Sequence, residues 1–279
     1  MSSPSQSRRR RSRRRAAHLL VLALVAIIMF PFLWLLQMSV RLDEDIFAFP
    51  PRLLSTPTAA HYVALWDSAF PRSFWNSGVT SLGSTLLAMV IGVPAAFALS
   101  RARFRSERSI SLWILATRMA PPIAFTLPYF LAYRNLELLD TRLGLVIIYL
   151  TFNLSLVIWM MRTFFDATPR SLDEAASIDG ASIWQGFVKI ILPLAAPGLA
   201  ATAILCFLFS WNDFFFALIL TRTQAITAPV AVVNFLNYEG WEWGKIAAGG
   251  TMVMLPVLVF SLLVRKYLVP GLTAGAIRG

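Results

Sequence analysis

The side chains able to do chemistry in this 279-residue chain are few, and their spacing excludes most of it. Its two histidines, His18 and His61, lie far apart, and its one cysteine, Cys206, sits in an apolar run. No CxxC or HxxxH pair exists, so the ligand sets that hold zinc are missing and the chain is expected to bind no metal. A single cysteine forms no intrachain disulfide and reads as a small buried hydrophobe. No Ser-His-Asp set or carboxylate pair stands out as catalytic, which leaves a membrane enzyme without a site. The nearest approach to a phosphate-binding G-x-x-x-x-G-K-[ST] loop is Gly240-Trp241-Glu242-Trp243-Gly244-Lys245-Ile246. Its spacing is wrong and no Ser or Thr follows the lysine, so the chain is expected to bind no nucleotide cofactor of its own.

Two groups of polar residues remain. One is the stretch Ser171–Gly198, SLDEAASIDGASIWQGFVKIILPLAAPG. Ser171 with Glu174 has the spacing of a capping box, which predicts a helix from Leu172, and Asp179-Gly180 can end it with a left-handed glycine. A second box, Ser182 with Gln185, opens another helix that ends by Pro193, with Ile183, Trp184, Phe187, Ile190 and Ile191 expected on one face. The first helix puts Leu172, Ala175, Ala176 and Asp179 on one face by i, i+3, i+4, i+7 spacing. Helices this short need a surface to dock against. By spacing alone, a pair that merely lies on lipid headgroups accounts for the pattern equally well.

The other group is Arg118, Asn153, Trp211, Asn212 and Asp213, all within apolar segments. An ionisable residue in a span costs roughly 2.5–3.5 kcal/mol on insertion scales, so its presence points to function. Such residues line a translocation path, or they hold helices together and border a water-filled vestibule; Asn153 fits the latter better. A proton-coupled carrier would also want Asp213 and Arg118.

The positioning elements are membrane spans. The chain is 57% hydrophobic with a mean hydropathy of +0.66, well above the soluble norm of about 45–50% apolar. Its net charge of +11 would suggest nucleic acid in a soluble chain, but no such motif exists and topology explains the charge better. Residues 1–15 form a basic cytoplasmic tail with Arg8–Arg11 and Arg13–Arg15, suited to anionic lipid headgroups. The apolar run from Ala16 to about Val40 is too long for a cleaved signal and has no A-x-A site after it, so it reads as span one. Spans follow at about Asn76–Leu99, Ile110–Tyr133, Leu143–Met161, Gly198–Leu220 and Ile246–Val264. The third is interrupted by Arg118-Met119-Ala120-Pro121-Pro122, where two prolines remove backbone donors. Lysine and arginine concentrate on one side, which predicts six spans with both termini cytoplasmic and places 171–193 in the cytoplasm. The expected organisation is a tail (1–15), a permease domain (16–268) and a C-terminal tail (269–279).

Glu174-Ala175-Ala176, Gly180, Ile190, Leu192 and Pro193 match every position of the EAA---G---------I-LP signature of binding-protein-dependent ABC importer permeases. Thr117-Arg118-Met119 with Pro121-Pro122, Ser210-Trp211-Asn212-Asp213-Phe214 and the tail Gly271-Leu272-Thr273-Ala274-Gly275 resemble the carbohydrate, maltose-type branch, on the side of its second permease subunit. The resemblance covers about Ala16 to Gly279. It implies the all-α type I ABC importer permease fold and a place in a bacterial cytoplasmic membrane. It implies a partnership with a second homologous permease, two ATPases carrying ATP and Mg, and an extracytoplasmic solute-binding protein, with no role for nucleic acid. Glu174, Ala175, Ala176, Asp179, Gly180, Ile190, Leu192 and Pro193 would then couple to the ATPase. Tyr238, Glu239, Trp241 and Trp243, in the loop before the last span, would touch the binding protein; an aromatic belt at the membrane surface is the plainer account of these rings. The function implied is half of an ATP-driven import path for a carbohydrate. A non-sugar importer of the same build is the nearest alternative.

Overall fold

The computed structural model describes residues 4–50, 55–101, 107–237 and 240–274. Almost all of it is helical. In chain order the elements are α1 (Pro4–Ser39), α2 (Asp43–Ile46), α3 (Ala60–Trp66), α4 (Phe70–Arg101), α5 (Glu107–Met119), a 3-10 turn (Pro122–Phe125), α6 (Thr126–Asn135) and α7 (Arg142–Asp166). Then come α8 (Ser171–Ile178), α9 (Ile183–Gly186), a π-helical segment (Phe187–Ile191), α10 (Leu192–Leu194), α11 (Ala196–Trp211), α12 (Phe215–Leu220) and α13 (Ala228–Val233). A two-residue antiparallel ribbon, β1 (Leu236–Asn237) with β2 (Gly240–Trp241), precedes α14 (Trp243–Ala274).

Four helices are long and apolar enough to cross a membrane unbroken: Arg14–Ser39, Phe70–Arg101, Arg142–Asp166 and Trp243–Leu263. Two bent pairs, Ser109–Met119 with Pro122–Asn135 (90°) and Ile183–Leu194 with Ala196–Trp211 (77°), bring the total to six if each is one span. The break at Pro121-Pro122 falls where the sequence predicts it. Several boundaries differ. The second span starts at Phe70 and not Asn76, because buried Phe70 and Ser73 continue its inward face. The fourth runs to Asp166, past Met161, since Phe165 is fully buried and the last carbonyls find a donor in Arg101. The fifth is divided at Asn212–Phe214, and the last helix extends to Ala274.

The chain forms two compact units. One comprises the segment up to Ser68 together with Asn234–Met252; the other comprises Ala69–Val233 and the segment from Val253. In the first, the apolar part of α1 has none of its length buried, as expected of a helix facing lipid or a partner. His61 of α3 is buried there, with its Nε2 2.6 Å from the Arg41 carbonyl.

The second unit is built on α4, α7 and α11. One stripe of α4 is polar yet buried: Ser73, Asn76, Ser77, Thr80, Ser81, Ser84 and Thr85. Lipid provides no hydrophobic drive between spans, so small residues that permit close approach and share hydrogen bonds take over. A Cβ at Gly92 would meet Val157 of α7 at 2.7 Å, which shows how closely the two helices pack. Towards the α8 end lies an apolar core of Val93, Phe97, Val157, Met161, Phe165 and Cys206. Towards the other end, Leu145, Ile148, Phe216 and Leu220 form a second core.

Candidate functional site

The stretch 171–194 folds as two short helices about a glycine, but it starts differently from the sequence expectation. Arg170 is already helical (φ −66°, ψ −22°), and Asp173 and Glu174 both donate to its carbonyl, so Ser171 lies inside the first turn and makes no cap bond. Pro169 explains the shift, because its fixed φ suits a first helical turn and draws the start upstream. The end of α8 is as expected: Gly180 has φ +79°, with Gly180 N–H bonded to the Ser177 carbonyl (3.1 Å) and Ala181 N–H to that of Ala176 (2.9 Å). This is the Schellman pattern. The second capping box forms in full, with Gln185 N–H to Ser182 Oγ at 3.2 Å and Ser182 N–H to Gln185 Oε1 at 2.9 Å. Beyond Gly186 the helix passes into π geometry, in which Leu192 N–H reaches back to the Phe187 carbonyl. Pro193 has no N–H for the Lys189 carbonyl and crowds it, which an α-helical register there would not accommodate.

The faces also separate differently. Ala176 is buried and faces Gly186, and Leu172 packs on the core, whereas Ala175 and Asp179 are exposed. Of the second set, Phe187 and Ile191 are buried against Phe97 and Phe165, with Phe97 and Phe187 centroids 4.6 Å apart. Ile190 and Leu192 pack partly on that core, and Pro193 is exposed. Ile183 and Trp184 turn outward, 84% and 62% exposed, beside Ile178 at 86%. The tip of the unit is therefore a bare apolar patch bordered by the exposed Glu174 carboxylate. Such patches with polar rims mark protein-binding surfaces.

A polar joint ties the unit to the bundle. Arg101 donates to the Phe165 carbonyl (2.9 Å) and the Thr168 carbonyl (3.3 Å), so its charge sits at the negative end of α7. Its Nε lies 2.7 Å from Asp173 Oδ2, an ion contact not aligned as a hydrogen bond. Arg170 donates to the Ser100 carbonyl, and Ser100 Oγ donates to Asp166 Oδ1 at 2.6 Å. A basic residue at the end of one span with acids at the start of the next polar stretch was the available sequence signal for this joint.

The five intramembrane polar residues do not form one site. Asn153 is fully buried and donates to Ser84 Oγ (3.2 Å) and Ser210 Oγ (2.8 Å), holding α4, α7 and α11 together. The indole N–H of Trp211 donates to the Val253 carbonyl (3.0 Å), and Asn212 Nδ2 donates to that of Leu208 (2.8 Å). Asp213 Oδ2 accepts the Ala217 N–H (3.1 Å), bonding into the first turn of α12. Arg118 differs: its guanidinium lies 5.0 Å over the Phe209 ring, at the wall of a 620 Å³ cavity.

Of the residues expected to meet a binding protein, Tyr238 and Glu239 lie outside the described residues. Trp241 is in β2, and Trp243 opens α14. Sequence reasoning missed Asp140, which is in left-handed backbone (φ +55°) between α6 and α7. Its carboxylate accepts the N–H groups of Arg222, Thr223, Gln224 and Ala225 at 2.9–3.0 Å, and the Thr223 hydroxyl at 3.0 Å. Partial burial opposes ionisation, but the four backbone N–H bonds outweigh it and hold this carboxyl well below its usual range. Asn76 adds bonds to the Gln224 and Ile226 carbonyls, both 2.9 Å, and Arg72 bonds the Gln224 side chain.

The profile of a family described as the binding-protein-dependent transport system inner membrane component matches residues 88–273. The trehalose transport system permease protein SugB of Mycobacterium tuberculosis is 39% identical over 253 residues, 89% of this chain and 92% of that one. The trehalose/maltose transport system permease protein MalG of Thermococcus litoralis is 35% identical over 92% of this chain and 94% of its own. Among solved structures, a chain of a bacterial ABC transporter involved in the import of the acidic polysaccharide alginate superposes with a TM-score of 0.78. It is 26% identical, over 96% of this chain and 99% of that one.

Proposed function

The chain belongs to the binding-protein-dependent transport system inner membrane components, and from that premise we propose that it forms half of an ATP-driven import path for a carbohydrate. It is a multi-pass inner-membrane transport subunit of the type I ABC permease fold. The other half would be a second, related permease, with two ATPases on the cytoplasmic side and a solute-binding protein on the far side. ATP and Mg would sit on the ATPases.

The observation that carries the reading is the unit 171–194. Its Schellman turn and capping box fix the angle between two short helices, its inner face is locked by Phe187, Ile191 and the Arg101 joint, and its outer face leaves Ile178, Ile183, Trp184 and Glu174 bare. A surface rigidly joined to spans and open on its far side is suited to receive a push. Closure of an ATPase dimer would move this unit and rock the spans between inward-facing and outward-facing states. Both termini would then be cytoplasmic, with α1 bringing its arginines to the inner leaflet. Arg118 would line the path, whereas Asn153, Trp211, Asn212 and Asp213 would keep the spans together around it. Trp241 and Trp243, with Tyr238 and Glu239, would lie on the side of the binding protein.

The names of the relatives support a carbohydrate, since trehalose, maltose and alginate appear among their solutes. Measuring uptake and ATPase activity in the reconstituted complex tests the proposal. Glu174→Lys should abolish uptake or release the ATPase while all spans remain inserted. Wild-type uptake by that variant would refute the coupling role.

A further inference from the structure

Where the broken third span bends by 90°, residues on both sides of the break, on α7 and on α12 line the half-open 620 Å³ cavity. That size falls within the range of small-molecule sites. Its apolar wall is largely aromatic. Phe125 contacts Tyr129, Tyr129 contacts Phe216 and Phe216 stacks on Phe152, with centroids 6.0, 6.2 and 6.4 Å apart, and Trp113 adds a further ring.

The polar groups around these rings are complementary in a particular way. Thr117, Thr151 and Ser155 each spend their hydroxyl proton on their own helix, bonding the carbonyls of Ile114 (2.7 Å), Ile148 (2.6 Å) and Phe152 (3.1 Å). What they can offer the cavity is lone pairs. Arg118 is the charged donor in the wall, and among the described residues no carboxylate pairs with it. Pro121 and Pro122 also withhold the helical donors that the Thr117 and Arg118 carbonyls would receive. Freed carbonyls and a guanidinium at membrane depth are tolerated where they border water or protein, and not where they face acyl chains.

A lone donor fork, several acceptors and a run of ring faces suit a solute whose hydroxyls both donate and accept and whose C–H face is apolar. A pyranose has both properties. We propose that this cavity is a saccharide-contact site belonging to this subunit. A sugar ring lies on the Tyr129–Phe216–Phe152 surface, takes hydrogen bonds from Arg118, and gives its own to Thr151 and Ser155. The inference rests on the import reading and adds that the subunit touches the solute itself, through residues separate from the Asn153 and Asp213 helix contacts.

The test uses the assembled permease–ATPase complex in proteoliposomes, with the binding protein omitted and Cys206→Ala as background. Thr151→Cys is treated with an anionic methanethiosulfonate, with and without trehalose as the pyranose probe. The cysteine should be labelled, and trehalose at its dissociation constant should slow labelling about twofold, because half the sites are then covered. Arg118→Gln should slow sugar-free labelling somewhat, since the anionic reagent loses a cation beside the cysteine, and should abolish the protection, read as the ratio of labelling rates without and with trehalose in the same variant. Labelling only by an uncharged maleimide would identify a lipid groove, no labelling in any nucleotide state would identify a surface covered by a partner helix, and labelling indifferent to trehalose would mean a water path without a sugar contact. Each of these overturns the proposal. Retention of the ATPase in the same preparation reports on the import reading separately.

Discussion

The Nε of Arg101, the last residue of α4, lies 2.7 Å from Oδ2 of Asp173, in the first turn of α8. Arg101 also holds the Phe165 and Thr168 carbonyls, so one side chain joins two spans to the unit that would meet the ATPase. Asp173→Arg should place like charges together and lower solute moved per ATP hydrolysed, with the complex still assembled. The swapped pair Arg101→Asp with Asp173→Arg should recover only part of that ratio, because the aspartate cannot reach the α7 carbonyls. Full recovery would reduce the joint to the ion pair alone.

Ser171 and Ser182 look alike in sequence and should behave differently. Ser182→Ala removes a formed cap and should cost about 1 kcal/mol of local stability, while Ser171→Ala should change it by no more than a few tenths. Hydrogen exchange at the Gln185 and Glu174 amides reads both.

Gly180 has a positive φ that L side chains reach at a cost of about 1–2 kcal/mol. Since a Cβ there meets nothing within 4 Å, Gly180→Ala should act through backbone conformation alone. It should lower uptake without changing expression, and Gly180→Asn, which tolerates this conformation, should retain more uptake than alanine.

Asp140 gathers the segment 222–225, and its carboxyl is depressed in the folded protein. A depressed carboxyl contributes stability that is complete above its unfolded pKa and is lost as pH falls through the folded value. Between about pH 5 and 8 its contribution should therefore be flat, and the segment should loosen only in stronger acid. Asp140→Asn keeps the left-handed backbone but loses an acceptor, which should cost about 1–3 kcal/mol. Faster exchange of the Thr223 and Gln224 amides at neutral pH would register it.

The spans, the break at Pro121-Pro122 and the helix–glycine–helix unit were readable because each depends on local chemistry: apolar length, missing donors, a left-handed glycine. What was not readable came from tertiary contact. Ile183 and Phe187 look equivalent by periodicity, yet one is bare and the other lies against Phe97, because the π turn and the bundle decide the facing. Asn153 reads as a helix-holding residue from the sequence, whereas Arg118 stays open there, and their neighbours differ accordingly: Ser84 and Ser210 for one, the Phe209 ring for the other. The Asp140 clasp bridges more than eighty residues, beyond any spacing rule.

The exposed tip of 171–194 is proposed to dock on the ATPase. A photo-crosslinking amino acid placed at Trp184 in the assembled transporter probes that contact. One crosslinked product should join this chain to the ATPase, altered in yield when ATP closes the dimer and absent when the probe replaces Trp113 instead. An intact complex in which the Trp184 probe captures only lipid, or nothing, would refute docking through this tip.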